Sequence, residues 1–224
     1  MNYLYIVATP IGNLEDISKR TLRILSEVDL ILCEDTRTTK KLLDYFGIKT
    51  STLSYHQHSE LKKVEYILQL LKEGKDLALV SEAGTPGISD PGNQLIASLI
   101  EVKPQSIKIV SVPGPSALTA AASVSGFPMD RFIFMGFPPA KKKRKKFFEE
   151  VVSAKYPVIF YESPYRIIKS LTELRMMDEK LKIVVCRELT KKFETIYRGT
   201  VKEVLEQIKV EEIRGEFVVI VERK

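Results

Sequence analysis

The chain has 224 residues, 44% hydrophobic and 29% charged, with a formal net charge of +6. That is the composition of a globular protein with a full core, long enough for one domain or two of about 110 residues each, and no apolar run approaches the roughly 20 residues that cross a bilayer. With two cysteines and no Cys-x-x-Cys pair, neither a disulfide framework nor a thiolate zinc site is supported, and a cytoplasmic protein is expected.

The first seven residues are too short and lack the basic flank of a signal peptide, so they read as a first strand. Strands are expected over 3–9, 30–34, 77–81 and 107–112, with a weaker one near 50–54. Helices are expected over 18–28, 36–45 and 60–73, the last with Val64, Ile67, Leu68 and Leu71 at helical spacing. Thr36 and Ser59 suit N-caps, and Gly47 and Gly74 suit helix stops. Strand–helix alternation with short connections implies a parallel α/β layer. Past Pro115 the texture changes. A small-residue helix over 116–125 is followed by strands at 132–136, 158–161, 183–187, 195–199 and 217–221, separated by helices at 145–154, 165–177 and 201–209. The strand at 195–199 follows its predecessor closely enough to be antiparallel, so this sheet is expected to be mixed. The fold class is therefore α/β: a mainly parallel domain over 1–115 and a mixed-sheet domain over 116–224. Cys33 and Cys186 end apolar runs and read as buried thiols.

Two Gly/Pro-dense segments stand out, Ser81 to Gly92 and Val112 to Ala117, each directly after a strand-like run. Gly84 and Gly114 permit close approach or positive φ, and Pro86, Pro91, Pro113 and Pro115 stiffen the loops. Such loops present backbone groups at the carboxyl edge of a parallel sheet, where open α/β folds bind ligands; two ordinary turns are the plainer alternative. Neither a Gly-x-x-x-x-Gly-Lys-Ser/Thr loop nor a Gly-x-Gly-x-x-Gly is present, so ATPase and NAD readings are unsupported.

Charge is uneven. Residues 1–115 carry 13 Lys/Arg against 14 Asp/Glu, whereas residues 116–224 carry 22 against 15. A basic half suits a polyanion; a Lys/Glu-rich surface of the thermophile kind is the rival reading. The charge peaks in an arm over 138–148, where two prolines precede Lys141, Lys142, Lys143, Arg144, Lys145 and Lys146. Six phosphate contacts would give a log–log salt slope of about −4 to −5, while a solvated helix start would give none. Phe147 and Phe148 read as core anchors of the following helix.

In order along the chain stand Pro10-Ile11-Gly12-Asn13, Glu34-Asp35-Thr36-Arg37, the two loops above, Tyr161-Glu162-Ser163-Pro164-Tyr165-Arg166, Arg187-Glu188-Leu189-Thr190-Lys191 and Arg214-Gly215-Glu216-Phe217. That series resembles the tetrapyrrole-methylase superfamily, and within it the bacterial ribose 2′-O-methyltransferases of small-subunit rRNA, from near residue 5 to near residue 220. The resemblance implies S-adenosylmethionine held in a cleft between the two domains, with contacts from Pro10, Ala83, Gly84, Thr85, Ile88, Ser116, Ala117, Glu162 and Leu189. Many members have Asp where this chain has Glu82, a change of one methylene. The resemblance also implies a cytidine of the decoding region as target, in rRNA or the assembled small subunit, a homodimer, no metal and no membrane. Longer members carry a further C-terminal domain. Since the sequence stops at Lys224, RNA affinity is expected to rest more on the basic arm.

Methyl transfer to a ribose hydroxyl needs in-line geometry and removal of one proton. Glu34 is the candidate base, and Arg37 and Arg187 are candidates to hold phosphate; structural pairs Glu34/Arg37 and Arg187/Glu188 are the alternative. His56 and His58 at alternate positions lack companion ligands and read as polar surface rather than metal ligands. In related sequences their loop faces substrate, which implies RNA contacts from Tyr55 and His56. A precorrin-type methyltransferase would share fold and cofactor but is expected to lack the basic arm. A non-catalytic RNA-binding protein would keep the arm without needing two stiff ligand loops.

Overall fold

The computed structural model describes residues 2–56, 61–102, 107–210 and 213–222; Ser59 and the expected helix start at 60 lie outside them, as does His58. The chain divides into two compact units, Met1–Ser116 and Ala117–Lys224.

The first unit runs β1 (Asn2–Val7), α1 (Lys19–Glu27), β2 (Leu30–Cys33), α2 (Thr36–Tyr45), β3 (Thr52–Ser54), α3 (Leu61–Lys72), β4 (Leu77–Val80), α4 (Asn93–Val102) and β5 (Ile107–Val112). Its strands pair in the order β3-β2-β4-β1-β5, all parallel, with Leu4 of β1 opposite Leu77 and Ile109. Strand side chains alternate between faces, and both faces are covered. Leu4, Ile6, Leu32, Leu77 and Leu79 pack with Ile67, Leu71, Leu95 and Leu99 of α3 and α4. Val7, Ile31, Cys33, Ala78 and Val80 pack with Ile24, Leu25 and Leu43 of α1 and α2. This double coverage explains why β4 is an unbroken apolar run, buried at every position.

Helix α4 was not expected from the sequence, where the dense glycines and prolines before it read as one long loop. A parallel β4–β1–β5 arrangement requires a return crossover, and Leu95 and Leu99 supply the buried stripe that makes it a helix. At α1, Ser18 accepts from the Thr21 amide as cap. At α2 the cap is Asp35, which accepts from the Arg37 amide, and the expected cap Thr36 is the first helical residue. Asp35, one position earlier, has the extended backbone of a cap and its carboxylate reaches the open amide. Gly47 and Gly74 end their helices with φ of +68° and +100°.

The second unit comprises α5 (Ala117–Val124), β6 (Ile133–Phe134), α6 (Arg144–Ser153), β7 (Val158–Glu162), α7 (Ile167–Met177), β8 (Lys182–Arg187), β9 (Thr195–Thr200), α8 (Val201–Lys209) and β10 (Phe217–Val221). The order is β6-β7-β10-β8-β9. The β6–β7 pair is parallel; β10 is antiparallel to both neighbours, and β9 to β8. Phe147 and Phe148 of α6 are core residues, packed edge-on against Phe160 of β7. Both cysteines are free and buried, and burial pushes the Cys186 thiol up to about 11. Among the described residues no helix is long and apolar enough to cross a membrane.

Candidate active site

Because β1 to β5 are parallel, their carboxyl ends share one edge, and every motif of the first unit follows one of them. Three loops are bonded together there. Thr9 and Gly84 exchange backbone hydrogen bonds at 2.9 and 3.0 Å, and the Ala8 amide donates to the Val112 carbonyl at 3.2 Å. The Thr85 hydroxyl donates to the Pro115 carbonyl at 3.4 Å, and the Thr9 hydroxyl to that of Ser81 at 3.3 Å. Gly84 has φ +78°, and a Cβ on it would stand 3.4 Å from Ile11 Cγ2; one on Gly114 would stand 3.0 Å from Ala8 Cβ. Gly114 is thus a close-approach position, whereas Gly84 is required by its positive φ. Pro10 is buried, Ala83, Thr85 and Ser116 are half-buried, and Ile88 is exposed; Ala117 opens α5. Pro10, Ala83, Gly84, Thr85 and Ser116 therefore belong to one cluster of loops.

Glu34 follows β2 on the same edge, half-buried, with its carbonyl accepting from the Ser54 hydroxyl at 3.4 Å. Of the alternative structural pairs, Glu34/Arg37 gives way to one between Asp35 and Arg37, 2.9 Å apart. The Arg37 side chain and its amide hold the Asp35 carboxyl down at about 2. Two residues of separation and the cap geometry favour Asp35, since the same carboxylate meets both Arg37 groups. Tyr55 is buried under the sheet edge and so is withdrawn from the RNA-facing role implied for it, while His56 is exposed with Nε2 2.8 Å from the Ser54 hydroxyl.

In the second unit, β6, β7 and β8 run in the same direction. Glu162, Phe217 and Arg187 stand side by side in register at their carboxyl edge. Glu162 is buried, and its carboxylate is taken up inside the unit. One oxygen accepts from the Ser163 amide at 2.8 Å and lies 3.0 Å from Arg166 Nε; the other accepts from the Ser170 hydroxyl and lies 3.8 Å from Arg144 Nη2.

Arg144 departs from the expectation for the basic arm. It is only 4% exposed, donating from Nε to Glu173 at 2.7 Å, from Nη2 to the Ser170 hydroxyl at 2.7 Å and from Nη1 to the Pro139 carbonyl at 3.2 Å. Its guanidinium lies 5.0 Å from the Phe148 ring centroid. It cannot grip a phosphate; it anchors the arm. At the first position of α6, its direction follows Phe147 and Phe148 into the core, whereas Lys141, Lys142, Lys143, Lys145 and Lys146 are exposed. Ser170 and Glu173 were not singled out in the sequence. Their spacing of three on α7, on the face that also buries Leu171 and Leu174, was the only available signal.

The segment after β8 is tightly constrained. Arg187 donates from Nε to the Arg214 carbonyl at 2.9 Å, with its guanidinium 5.9 Å from the Phe217 ring centroid. Partial burial pushes the Glu188 carboxyl up, but the Lys191 ammonium and the Glu216 amide outweigh it, and the group sits below its ordinary value. Lys191 bonds Glu188 and Glu216, each at 2.8 Å. Any Cβ on Gly215 would overlap the Glu188 carboxyl, so glycine there makes room for the bridge. Glu188 and Thr190 have φ of 54° and 66°, and the buried Thr190 hydroxyl has no hydrogen-bond partner among the described residues. Positive φ at a β-branched residue beside an orphan hydroxyl is the kind of strain found at functional sites. Leu189, between them, is buried. Among the described residues no group of three His, Cys, Asp or Glu side chains could hold a metal ion.

The fold matches solved methyltransferase structures. Cobalt precorrin-4 methyltransferase superposes with a TM-score of 0.69 at 21% identity, covering 98% of this chain and 94% of that one. Diphthine synthase gives 0.74 at 16%, covering 100% and 90%. At such identities the likeness concerns the fold alone. Sequence relatives are much nearer. A protein of Thermotoga maritima named ribosomal RNA small subunit methyltransferase I is 43% identical over 224 residues, all of both chains. One of the same name from Escherichia coli O157:H7 is 46% identical over 98% of this chain and 77% of its own length. A family model for tetrapyrrole (corrin/porphyrin) methylases matches residues 3–205, and to that family the chain belongs.

Proposed function

We propose that the chain is an S-adenosylmethionine-dependent methyltransferase acting on the ribose 2′-hydroxyl of a cytidine in the decoding region of small-subunit rRNA, in the cytoplasm and as a homodimer. The observation that carries the reading is the identity of 43% with the Thermotoga maritima relative along the full length of both chains. The basic second half and five exposed lysines support a polyanionic substrate.

The residues fit the cofactor. Gly84 at φ +78° and Gly114 packed against Ala8 let the loops approach one another, and the bonded loops through Pro10, Ala83, Thr85 and Ser116 form a stiff rim; Ile88, Ala117 and Leu189 complete the proposed contact set. Bound there, S-adenosylmethionine supplies an electrophilic methyl group. The protein's part is to hold the ribose in line and accept its proton, with Glu34 as the proposed base and Arg187 positioning the backbone phosphate. Glu34→Gln keeps shape and removes the basic site, so turnover should fall by about 10²-fold or more with both affinities unchanged. Near-normal single-turnover rates would assign the proton to water instead.

The primary experiment is transfer of labelled methyl from S-adenosylmethionine to isolated small subunits and to free rRNA, with the modified nucleotide mapped. Absence of transfer to either would overturn the substrate. A second measurement concerns the arm. With Arg144 excluded, five lysines remain, and full engagement predicts a salt slope of about −3.5 to −4.5. Replacing Lys141, Lys142, Lys143, Lys145 and Lys146 with Ser should flatten the slope in an RNA filter-binding series while leaving S-adenosylmethionine affinity and folding unchanged.

A further inference from the structure

The edge of the second unit that gathers Glu162, Phe217 and Arg187 also carries three large aromatic side chains that the core does not use. Phe137 follows β6, Tyr165 follows β7, and Phe193 lies in the β8–β9 connection; they are 50%, 95% and 71% exposed. From β6 through β7 and β10 to β8 is three strand spacings, about 14 Å. The first two positions are held by the backbone. Arg166 donates from Nη1 to the Pro138 carbonyl at 3.2 Å, which ties the Phe137 segment to the Tyr165 loop. Arg144 fixes the next carbonyl from beneath, and the Phe137 ring meets Tyr161 edge-on at 5.5 Å. Phe193 sits in a short turn closed by the Glu194 amide on the Lys191 carbonyl at 3.0 Å.

Cations accompany the row. Lys141, Lys142 and Lys143 follow Phe137 within six residues, all exposed, and Lys192 Nζ lies 5.6 Å from the Phe193 centroid. Exposed aromatics on a fixed scaffold, interleaved with lysines, are the elements of a single-strand platform, because every unpaired base has a face that stacks and every linkage a phosphate. A duplex hides its base faces and would leave the rings unused.

We propose that Phe137, Tyr165 and Phe193 form a track for unpaired RNA, with Tyr165 stacking on a base while Lys141, Lys142 and Lys143 hold the adjoining phosphates. The proposal rests on the rRNA reading and adds to it that the recognised element is single-stranded.

Anisotropy titrations with a short labelled single-stranded RNA and its duplex, across a salt series, test the track. Tyr165→Ala should weaken single-strand binding by about 5- to 100-fold with the salt slope and duplex affinity unchanged, and Tyr165→Phe should bind like the parent. The Lys141/Lys142/Lys143→Ser variant should weaken both RNAs and flatten the slope. Unchanged single-strand affinity in Tyr165→Ala would overturn the track, as would equal losses on both RNAs or a change in sedimentation marking Tyr165 as a subunit contact. If the parent methylates small-subunit RNA while Tyr165→Ala binds normally, only the track falls. If the parent neither binds nor methylates RNA, the substrate reading falls and takes the track with it.

Discussion

Arg144→Met should lower the stability of the protein by about 3–5 kcal/mol, the cost of breaking a buried ion pair by removing one partner. The guanidinium satisfies Glu173, Ser170 and the Pro139 carbonyl at once and stands beside the fully buried Glu162 carboxylate. Methionine fills similar space but leaves these acceptors without their donor. Against total stabilities of about 5–15 kcal/mol, that is a large share, visible in urea unfolding followed by circular dichroism. Lys142→Ser, two residues away and exposed, should change stability by no more than about 0.5 kcal/mol. Arg144→Met combined with Glu173→Gln should cost less than the sum of the two single changes, because both act on one network. Equal stabilities for Arg144→Met and Lys142→Ser would return Arg144 to the solvated arm.

Gly84→Val should eliminate S-adenosylmethionine binding measurable by calorimetry. Valine at φ +78° carries backbone strain of about 1–3 kcal/mol, and its side chain must enter the space bounded by Ile11 and the Pro115 carbonyl. The loop is not a free appendage, since Gly84 and Thr9 hold each other through two backbone bonds. A modest fall in melting temperature is therefore expected together with the lost affinity. Gly47→Val is the matched control. Gly47 has a similar φ of +68° with nothing within 4 Å, and it ends α2 at the opposite edge of the sheet. It should lose comparable stability and keep its affinity. In the parent, S-adenosylmethionine should raise the melting temperature by binding only the folded state. Undiminished affinity in a folded Gly84→Val protein would remove the loop from the cofactor site.

Elements with strong local patterns were legible. β5, α8 and β10 occupy the residues that periodicity and β-branched runs indicate, and Ser18, Gly47 and Gly74 mark helix ends because capping and positive φ are properties of a few adjacent residues. Helix α4 was missed because its apolar positions follow a glycine- and proline-dense stretch and have no stop signal; the need for a crossover between parallel strands makes it a helix. The Asp35 cap was displaced to Thr36 because both residues can cap, and only the geometry of the turn chooses between them.

The sequence by itself determined the α/β class, the parallel and mixed character of the two sheets, the loops that line the candidate site and the family. All of these follow from short-range patterns or from ordered motifs. Tertiary structure alone decided the strand orders, including the insertion of the last strand, β10, between β7 and β8, since pairing partners are chosen by burial across the whole unit. It also decided which charges are solvated. Six consecutive cations look alike in sequence, yet the helix that begins at Arg144 turns that one side chain inward, where the buried Glu162 and Ser170 and the half-buried Glu173 can satisfy a planar guanidinium, and leaves its lysine neighbours in water.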